Sequence, residues 1–453
     1  MHSAVNDLHY IRTMISSALS AAPWLQPASG HALKIRGGVP LVGTYPISGA
    51  KNAVLPLMVS ALLTPHLVTL HNVPATLDVA VLATLLQRLG CEMSWSTTSA
   101  GLSLTIAADH IQPRSIDPHL VMRMRASVLL LGTLLARCGE ASLPLPGGDA
   151  IGLRGVDFHI EGLRALGATV ELEAGTIHAT APRGLHGADI HLPMPSVGAT
   201  ENLLLAAVVA TGRTTIRNAA LEPEISDLAT CLIGMGACIR GVGTHVLVIE
   251  GARPLTGTIH TVLPDRIEFG TLACAAAITD GELLLPNGRI ELLGAASASF
   301  EAAGIELRET AGGILARRAT SGLHGIDATT GPYPGFATDL QAPMMALLTR
   351  ASGASAITET IFEHRFQHVG ELRKMGANIA VMGRTALVRG VQKLEGAPVT
   401  CSDIRAAAAL VVAALASNGE AILDGLDHLD RGYDHMDEKL SACGADIVRA
   451  ARN

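Results

Sequence analysis

The chain has 453 residues, room for two or three domains at about 150 residues each, and it is too long to depend on a metal or disulfide staple. Apolar residues make up 49% and charged residues 16%, against about 25% charged in an average soluble domain, and only 12 residues are aromatic, so the core is predicted to be built from Ala, Val, Leu, Ile and Gly. The 33 basic and 40 acidic residues give a net charge of −7 without a long block of either sign, which excludes the basic footprint of a nucleic-acid binder.

Residues 1–32 are rich in Ser and Ala and carry Asp7, Arg12 and a weak apolar patch. They lack the basic start and clean apolar run of a signal peptide and read as a loosely ordered extension or a misassigned start. The mean hydropathy of +0.37 raises the question of a membrane. The longest stretch without Asp, Glu, Lys or Arg, residues 52–77, is broken by Pro56, Pro65 and Pro74, so no transmembrane segment is predicted. Seven cysteines, an odd number with no CxxC pair, predict reduced thiols in a cytoplasmic protein, each acting as a small buried hydrophobe.

From Leu89 onward one pattern recurs six times. Leu89-Gly90-Cys91, Leu166-Gly167-Ala168, Met235-Gly236-Ala237, Ala303-Gly304-Ile305, Met375-Gly376-Ala377 and Cys443-Gly444-Ala445 each close an amphipathic helical stretch and open a strand-like alternation. Their glycines lie 77, 69, 68, 72 and 68 residues apart. That is the place of a left-handed glycine after a helix. A second marker, a small-residue turn and a short apolar strand, keeps the same beat at residues 67–70, 141–145, 214–216, 282–285, 354–357 and 420–423. The unit therefore reads helix, strand, loop, helix, Gly, strand pair, about 70 residues long. It exceeds the 20–50 residues of most solenoid and propeller repeats, and three units per domain predict two similar α/β domains with a small-molecule cleft between them.

Four loops carry unusual polar residues. In Ser48-Gly49-Ala50-Lys51-Asn52 a glycine turn opens a helix with a lysine in it, which suits an anion and equally suits an exposed lysine. Arg123 and Arg125 open an otherwise apolar helix, either as a site or as helix-end charges in water. Leu145-Pro146-Gly147-Gly148-Asp149 leads through Ile151 and Gly152 to Arg154, and Thr338-Asp339-Leu340-Gln341 precedes an apolar helix. Each Asp reads either as a helix cap or as a reacting group. Together the loops offer a lysine, several arginines and at least two aspartates, a set matched to a substrate with phosphate and carboxylate groups that needs one proton donor and one acceptor. No CxxC, dense His/Asp cluster, GxGxxG after a strand or GxxxxGK[ST] occurs, so neither a metal site, nicotinamide chemistry nor P-loop chemistry is predicted, and no cofactor.

Several of these strings occur together in one known family. Ser48-Gly49-Ala50-Lys51-Asn52-Ala53, Met124-Arg125-Ala126-Ser127, Leu145-Pro146-Gly147-Gly148, Ser196-Val197-Gly198-Ala199-Thr200-Glu201-Asn202, Glu222-Pro223-Glu224-Ile225, Leu263-Pro264-Asp265-Arg266-Ile267-Glu268, Thr338-Asp339-Leu340-Gln341 and Asp430-Arg431-Gly432-Tyr433 are collinear with their counterparts from about Leu33 to the C-terminus. The chain thus resembles the enolpyruvyl transferases of the EPSP synthase-like kind, and among them the UDP-N-acetylglucosamine 1-carboxyvinyltransferases of peptidoglycan synthesis. The resemblance implies a two-domain inverse, or inside-out, α/β barrel of six repeats, three per domain. One domain would comprise residues 33–51 and 264–453, the other 52–263. It implies two small-molecule substrates, phosphoenolpyruvate and UDP-N-acetylglucosamine, with neither nucleic acid nor membrane as partner.

By the same resemblance Lys51, Asn52, Arg154 and Arg431 bind phosphoenolpyruvate. Arg125, Arg154, Gly155, Val156, Asp157, Phe158, Ser196, Val197, Asp339 and Ile361 fall at UDP-sugar positions, and Arg365, Asp403 and Arg405 are further site candidates. Asp339 matches the aspartate that takes the sugar hydroxyl's proton, and Lys51 and Arg431 belong to the catalytic set. Asp149 stands where relatives carry the proton-donating Cys. An Asp there needs burial or an anionic neighbour to stay protonated near neutrality, because its ordinary pKa is near 3.9. A carboxylate is also a poorer nucleophile than a thiolate, so resistance to the epoxide fosfomycin, which alkylates that Cys, is expected. Gly155, Ala337, His364, Met122 and Met194 are smaller departures from the family pattern. Another nucleotide or a shikimate-like acceptor stays open at this point, as does a non-catalytic metabolite binder.

Overall fold

The computed structural model describes residues 30–98, 101–113 and 116–451. The extension expected over residues 1–32 lies outside them up to residue 29, whereas Ala32 is already buried in a strand over His31–Arg36. The described residues form two compact units. One comprises Gly49–Asp149 and Arg154–Leu263; the other comprises residues 30–48, Ala150–Leu153 and residues 264–451. Two details differ from the expected boundaries. Lys51 belongs with the unit that follows it, and Ala150–Leu153 leaves its sequence neighbours for the other unit. The latter segment is held there by His364 N–H to Ile151 O at 3.0 Å, Leu153 N–H to Glu363 Oε1 at 2.8 Å and Gln367 Nε2 to Ala150 O at 2.6 Å.

All six repeat glycines have positive φ, from +86° at Gly304 to +102° at Gly90. Each donates its N–H three residues back, to Gln87, Arg164, Ile233, Glu301, Arg373 and Ser441. After five of them the next residue donates to a leucine carbonyl five back, at Leu86, Leu163, Leu232, Leu372 and Leu440. This is the Schellman closure, which satisfies the last helical carbonyls and turns the chain into a strand.

All six marker strands form as well, at Val68–His71, Glu140–Pro144, Arg213–Arg217, Glu282–Leu285, Ala354–Thr358 and Glu420–Asp424. Each lies in its own sheet, three of these sheets in each unit. The first five pair antiparallel with the second strand of the hairpin after the repeat glycine. In the sixth, His31–Arg36 takes that place between Glu420–Asp424 and the closing strand Asp446–Ala451, with Leu33 opposite Leu423 and Arg449. The sixth repeat is thus completed by a strand from the other end of the described residues.

The helices that open the repeats lie inside. We number them α1 (Lys51–Ser60), α2 (Leu129–Cys138), α3 (Val197–Ala207), α4 (Arg266–Ile278), α5 (Gln341–Leu348) and α6 (Ile404–Leu415). Every residue of α4, α5 and α6 is buried, and the three pack on one another; in the other unit α2 packs on both α1 and α3. A helix apolar all round belongs in a core, and the alanines of α6, such as Ala406–Ala409, leave room for close approach. Sheets outside and helices inside make each unit an inverted α/β barrel. No helix among the described residues is long and apolar enough to cross a membrane.

Candidate active site

The inner helices position the polar residues. Each carries a singled-out side chain at or just before its first turn: Lys51 on α1, Arg125 before α2, Ser196 before α3, Asp265 before α4, Asp339 before α5 and Arg405 on α6. Helix N-termini present backbone N–H groups and partial positive charge, a setting for anionic ligands.

In the first unit Lys51 is the first residue of α1, and its Nζ lies 2.7 Å from Asp78 Oδ2, a pair whose side chains are 11% and 3% exposed. Asn52 follows it, half-buried. Arg125 Nη2 donates to Gly155 O. Burial, with Arg154 as a second cause, draws the Arg125 guanidinium down to about 10, against an opposing pull from Asp157. Gly147 and Gly148 explain how the loop before Asp149 reaches these groups. Gly148 N–H donates to Met122 O at 3.1 Å, and a Cβ on Gly147 would lie 1.8 Å from that oxygen. Gly148, at φ +110°, leaves its would-be Cβ 3.1 Å from Arg125 N and 3.6 Å from Arg154 Nη1. Glycine at both positions lets the backbone lie against residues 121–125.

Asp149 itself is half-buried and caps no helix, because the next helix begins at Asp157. Val156 and Phe158 flank that start, both half-buried. Behind them His159 is buried, its Nδ1 3.0 Å from Asn202 Nδ2, and burial lowers it to about 3 with Arg125 adding to the effect. Ser196 caps α3, its Oγ accepting from Ala199 N at 3.4 Å, and Val197 follows.

In the second unit the short turn Thr338–Leu340 places Asp339 between two arginines. Arg365 Nη2 donates to Oδ1 at 2.6 Å, and Arg405 Nη2 and Nε donate to Oδ2 at 2.8 and 3.1 Å. Asp339 is therefore no helix cap. Burial raises its pKa, but Arg405 and Arg365 outweigh that and hold the carboxyl well below the usual carboxylate range. Arg405 also lies 5.5 Å over the Tyr433 ring, whose hydroxyl sits 3.0 Å from Thr271 Oγ1. Arg365 Nε and Arg405 Nη1 are buried without a hydrogen-bond partner among the described residues, so the arginines keep donor capacity beyond Asp339. Arg431 is buried in the last turn of the helix Asp427–Gly432, whose Gly432 backs onto Ile404 and Arg405.

Asp403, expected among the site residues, has a structural task. Its Oδ1 accepts from Arg405 N and Ala406 N, both at 2.9 Å, and so caps α6. Sequence reading missed Asp78, which neutralises Lys51, and Glu359, which ties Thr338 and Ile361 together. Glu359 directly follows the marker strand Ala354–Thr358, where a lone acidic residue between two threonines was the available signal. All seven cysteines are free thiols, and burial pushes those of Cys91, Cys231 and Cys401 up to about 12. Among the described residues no group of His, Cys, Asp and Glu is arranged to hold a metal.

Comparison with known proteins bears on this arrangement. The chain is 54% identical over 417 residues to a UDP-N-acetylglucosamine 1-carboxyvinyltransferase of Granulibacter bethesdensis, covering 92% of this chain and 99% of that protein. It is 52% identical over 424 residues to the protein of that name from Rhodospirillum centenum, covering 92% and 98%. Among solved structures, the enolpyruvyl transferase NikO from Streptomyces tendae superposes with a TM-score of 0.83 at 28% identity, covering 93% of this chain and 99% of that one. EPSP synthase from Acinetobacter baumannii, at 18% identity and a TM-score of 0.71 over 93% of this chain and 100% of that one, shares the fold. The family described as EPSP synthase (3-phosphoshikimate 1-carboxyvinyltransferase) matches residues 35–440. The chain belongs to the EPSP synthase family.

Proposed function

We propose that the chain transfers the enolpyruvyl group of phosphoenolpyruvate to the 3′-hydroxyl of UDP-N-acetylglucosamine and releases phosphate, the entry step of peptidoglycan synthesis. The relatives of 52–54% identity that bear this activity in their names support the acceptor. The observation that carries the chemistry is the Asp339 carboxylate, ionised between Arg365 and Arg405, both of which have donors to spare.

The sugar hydroxyl adds to C2 of phosphoenolpyruvate while C3 takes a proton, giving a tetrahedral ketal. Loss of a proton from C3 and of phosphate from C2 then leaves the enol ether. Asp149 is the proposed donor to C3, and Asp339 the acceptor of the hydroxyl proton. Asp339 starts in the charge state a base needs, but two guanidiniums make it weak. An anionic substrate that draws one arginine to itself frees a carboxylate oxygen and strengthens the base. Lys51, Asn52, Arg154 and Arg431 are assigned to phosphoenolpyruvate. Arg125, Gly155, Val156, Asp157, Phe158, Ser196, Val197 and Ile361 are assigned to the nucleotide sugar. The free thiols fit a reducing, cytoplasmic location.

The deciding experiment measures phosphate release from phosphoenolpyruvate with UDP-N-acetylglucosamine, UMP or shikimate 3-phosphate as acceptor. Release with UDP-N-acetylglucosamine alone is expected; release with another acceptor alone overturns the assignment.

A further inference from the structure

Glu359 is 1% exposed at the end of the strand Ala354–Thr358, and its carboxylate collects four hydrogen bonds. Oε1 accepts from Thr330 Oγ1 at 2.9 Å, Ile361 N at 2.8 Å and Phe362 N at 3.1 Å; Oε2 accepts from Thr338 Oγ1 at 2.8 Å. Thr338 has one hydroxyl proton, and Glu359 receives it. The lone pairs of Thr338 Oγ1 are then left to accept from Arg365 Nη1 at 3.1 Å, while Nη2 of the same guanidinium donates to Asp339 Oδ1 at 2.6 Å. The direction of each bond is fixed by the one before it: backbone amides and guanidiniums only donate, so the carboxylates must accept.

We propose that Glu359 is a positioning residue with two arms, one orienting Arg365 on Asp339 through the Thr338 hydroxyl, the other fixing the backbone at Ile361 and Phe362. The proposal rests on the enolpyruvyl-transfer reading above. The Thr338 arm sets how Arg365 is held against the proton acceptor and acts on kcat. The Ile361 arm shapes the backbone assigned to the nucleotide sugar and acts on its KM. A Gln at 359 keeps one oxygen for the two backbone N–H groups but turns an NH2 toward Thr338 Oγ1, where it competes with Arg365. Guanidinium displacement of about an ångström costs up to about 100-fold in rate.

The test compares Glu359→Gln, Thr338→Val and Thr338→Ser with the unaltered protein in the phosphate-release assay. Thr338→Val should lower kcat about 10- to 100-fold and leave KM for the nucleotide sugar within about threefold, and Thr338→Ser should restore kcat to within about threefold. Glu359→Gln should show the same fall in kcat together with a several-fold rise in that KM. The double variant should be no slower than the slower single, because both act through one hydroxyl. Multiplying losses in the Glu359→Gln, Thr338→Val double variant overturn the proposal, and unaltered kcat in Thr338→Val overturns it even where Glu359→Gln fails to fold. An unaltered protein that releases no phosphate with any acceptor overturns the functional reading instead, and the proposal with it.

Discussion

The two units share a repeat plan but treat charge in opposite ways. In the unit of α1 to α3 the guanidinium of Arg125 is partly buried and disfavoured by Arg154, with Asp157 as counterweight, and the loop ending at Asp149 is laid against it by Gly147 and Gly148. In the unit of α4 to α6 the arginines close on a carboxylate, and Asp339 takes three of their N–H groups. The first arrangement gains from an added anion, and the second already holds one carboxylate between its two guanidiniums. Two carboxyl groups in such different surroundings are the means by which a protein assigns one to give a proton and the other to take it. In the proposed reaction phosphoenolpyruvate adds negative charge beside Asp149, the proposed donor, while Asp339 starts as the anion.

The largest effect should come from removing the donor. Asp149→Ala should abolish phosphate release while Asp149→Cys retains it, and near-normal turnover of the alanine variant would dissolve the contrast between the units. Fosfomycin sharpens the same point. The unaltered protein should lose no activity on incubation with it, and Asp149→Cys should be inactivated progressively with a covalent mass increase. A time-dependent loss in the unaltered protein contradicts the assignment of the donor.

Next in size is the clamped acceptor. Asp339→Asn leaves Arg365 and Arg405, 5% and 3% exposed, without their counter-charge. Breaking a buried pair from one side costs about 3–5 kcal/mol, so both turnover and the urea midpoint should fall steeply. If stability is unchanged and only turnover is lost, the clamp is electrostatically unimportant and the comparison narrows to chemistry.

Much of this was legible because the signals are local. A glycine after a helix must take positive φ to turn the chain, so Gly90, Gly167, Gly236, Gly304, Gly376 and Gly444 announced six helix ends before any packing was known. The marker strands followed from short apolar runs. What stayed hidden depends on partners far away in sequence. Nothing near Asp78 reveals that it meets Lys51, and nothing near Glu359 reveals that Thr338, 21 residues earlier, donates to it. Asp403, taken from the resemblance as a site candidate, shows a further task that no motif spelled out: its Oδ1 accepts two backbone N–H groups and caps α6. Similarly, the place of Ala150–Leu153 depends on Glu363 and Gln367, more than 200 residues away.

The smallest effect separates the units through their buried histidines. Burial, reinforced by Arg125, lowers His159 in the first unit to about 3, and burial lowers His368 in the second to about 4. Unfolding returns each to an ordinary value near 6.5, so between those limits the unfolded chain binds more protons and stability falls as pH drops. Glu201 works in the opposite sense. Buried beside Glu224 and Glu222, its carboxyl is raised well above the usual range, so its stabilising share is present at low pH and fades as pH rises. The pH dependence of the whole chain is therefore a sum of opposed contributions, and a difference measurement is needed to isolate one of them. Gln at 159 offers an oxygen to Asn202 without a titrating ring. Between pH 7 and pH 5, Glu- and His-linked changes remain in both proteins, but His159→Gln should lose about 2 kcal/mol less unfolding free energy in urea than the unaltered chain. Equal losses would mean that His159 already carries its proton in the folded protein, and would contradict a first unit short of negative charge around Arg125.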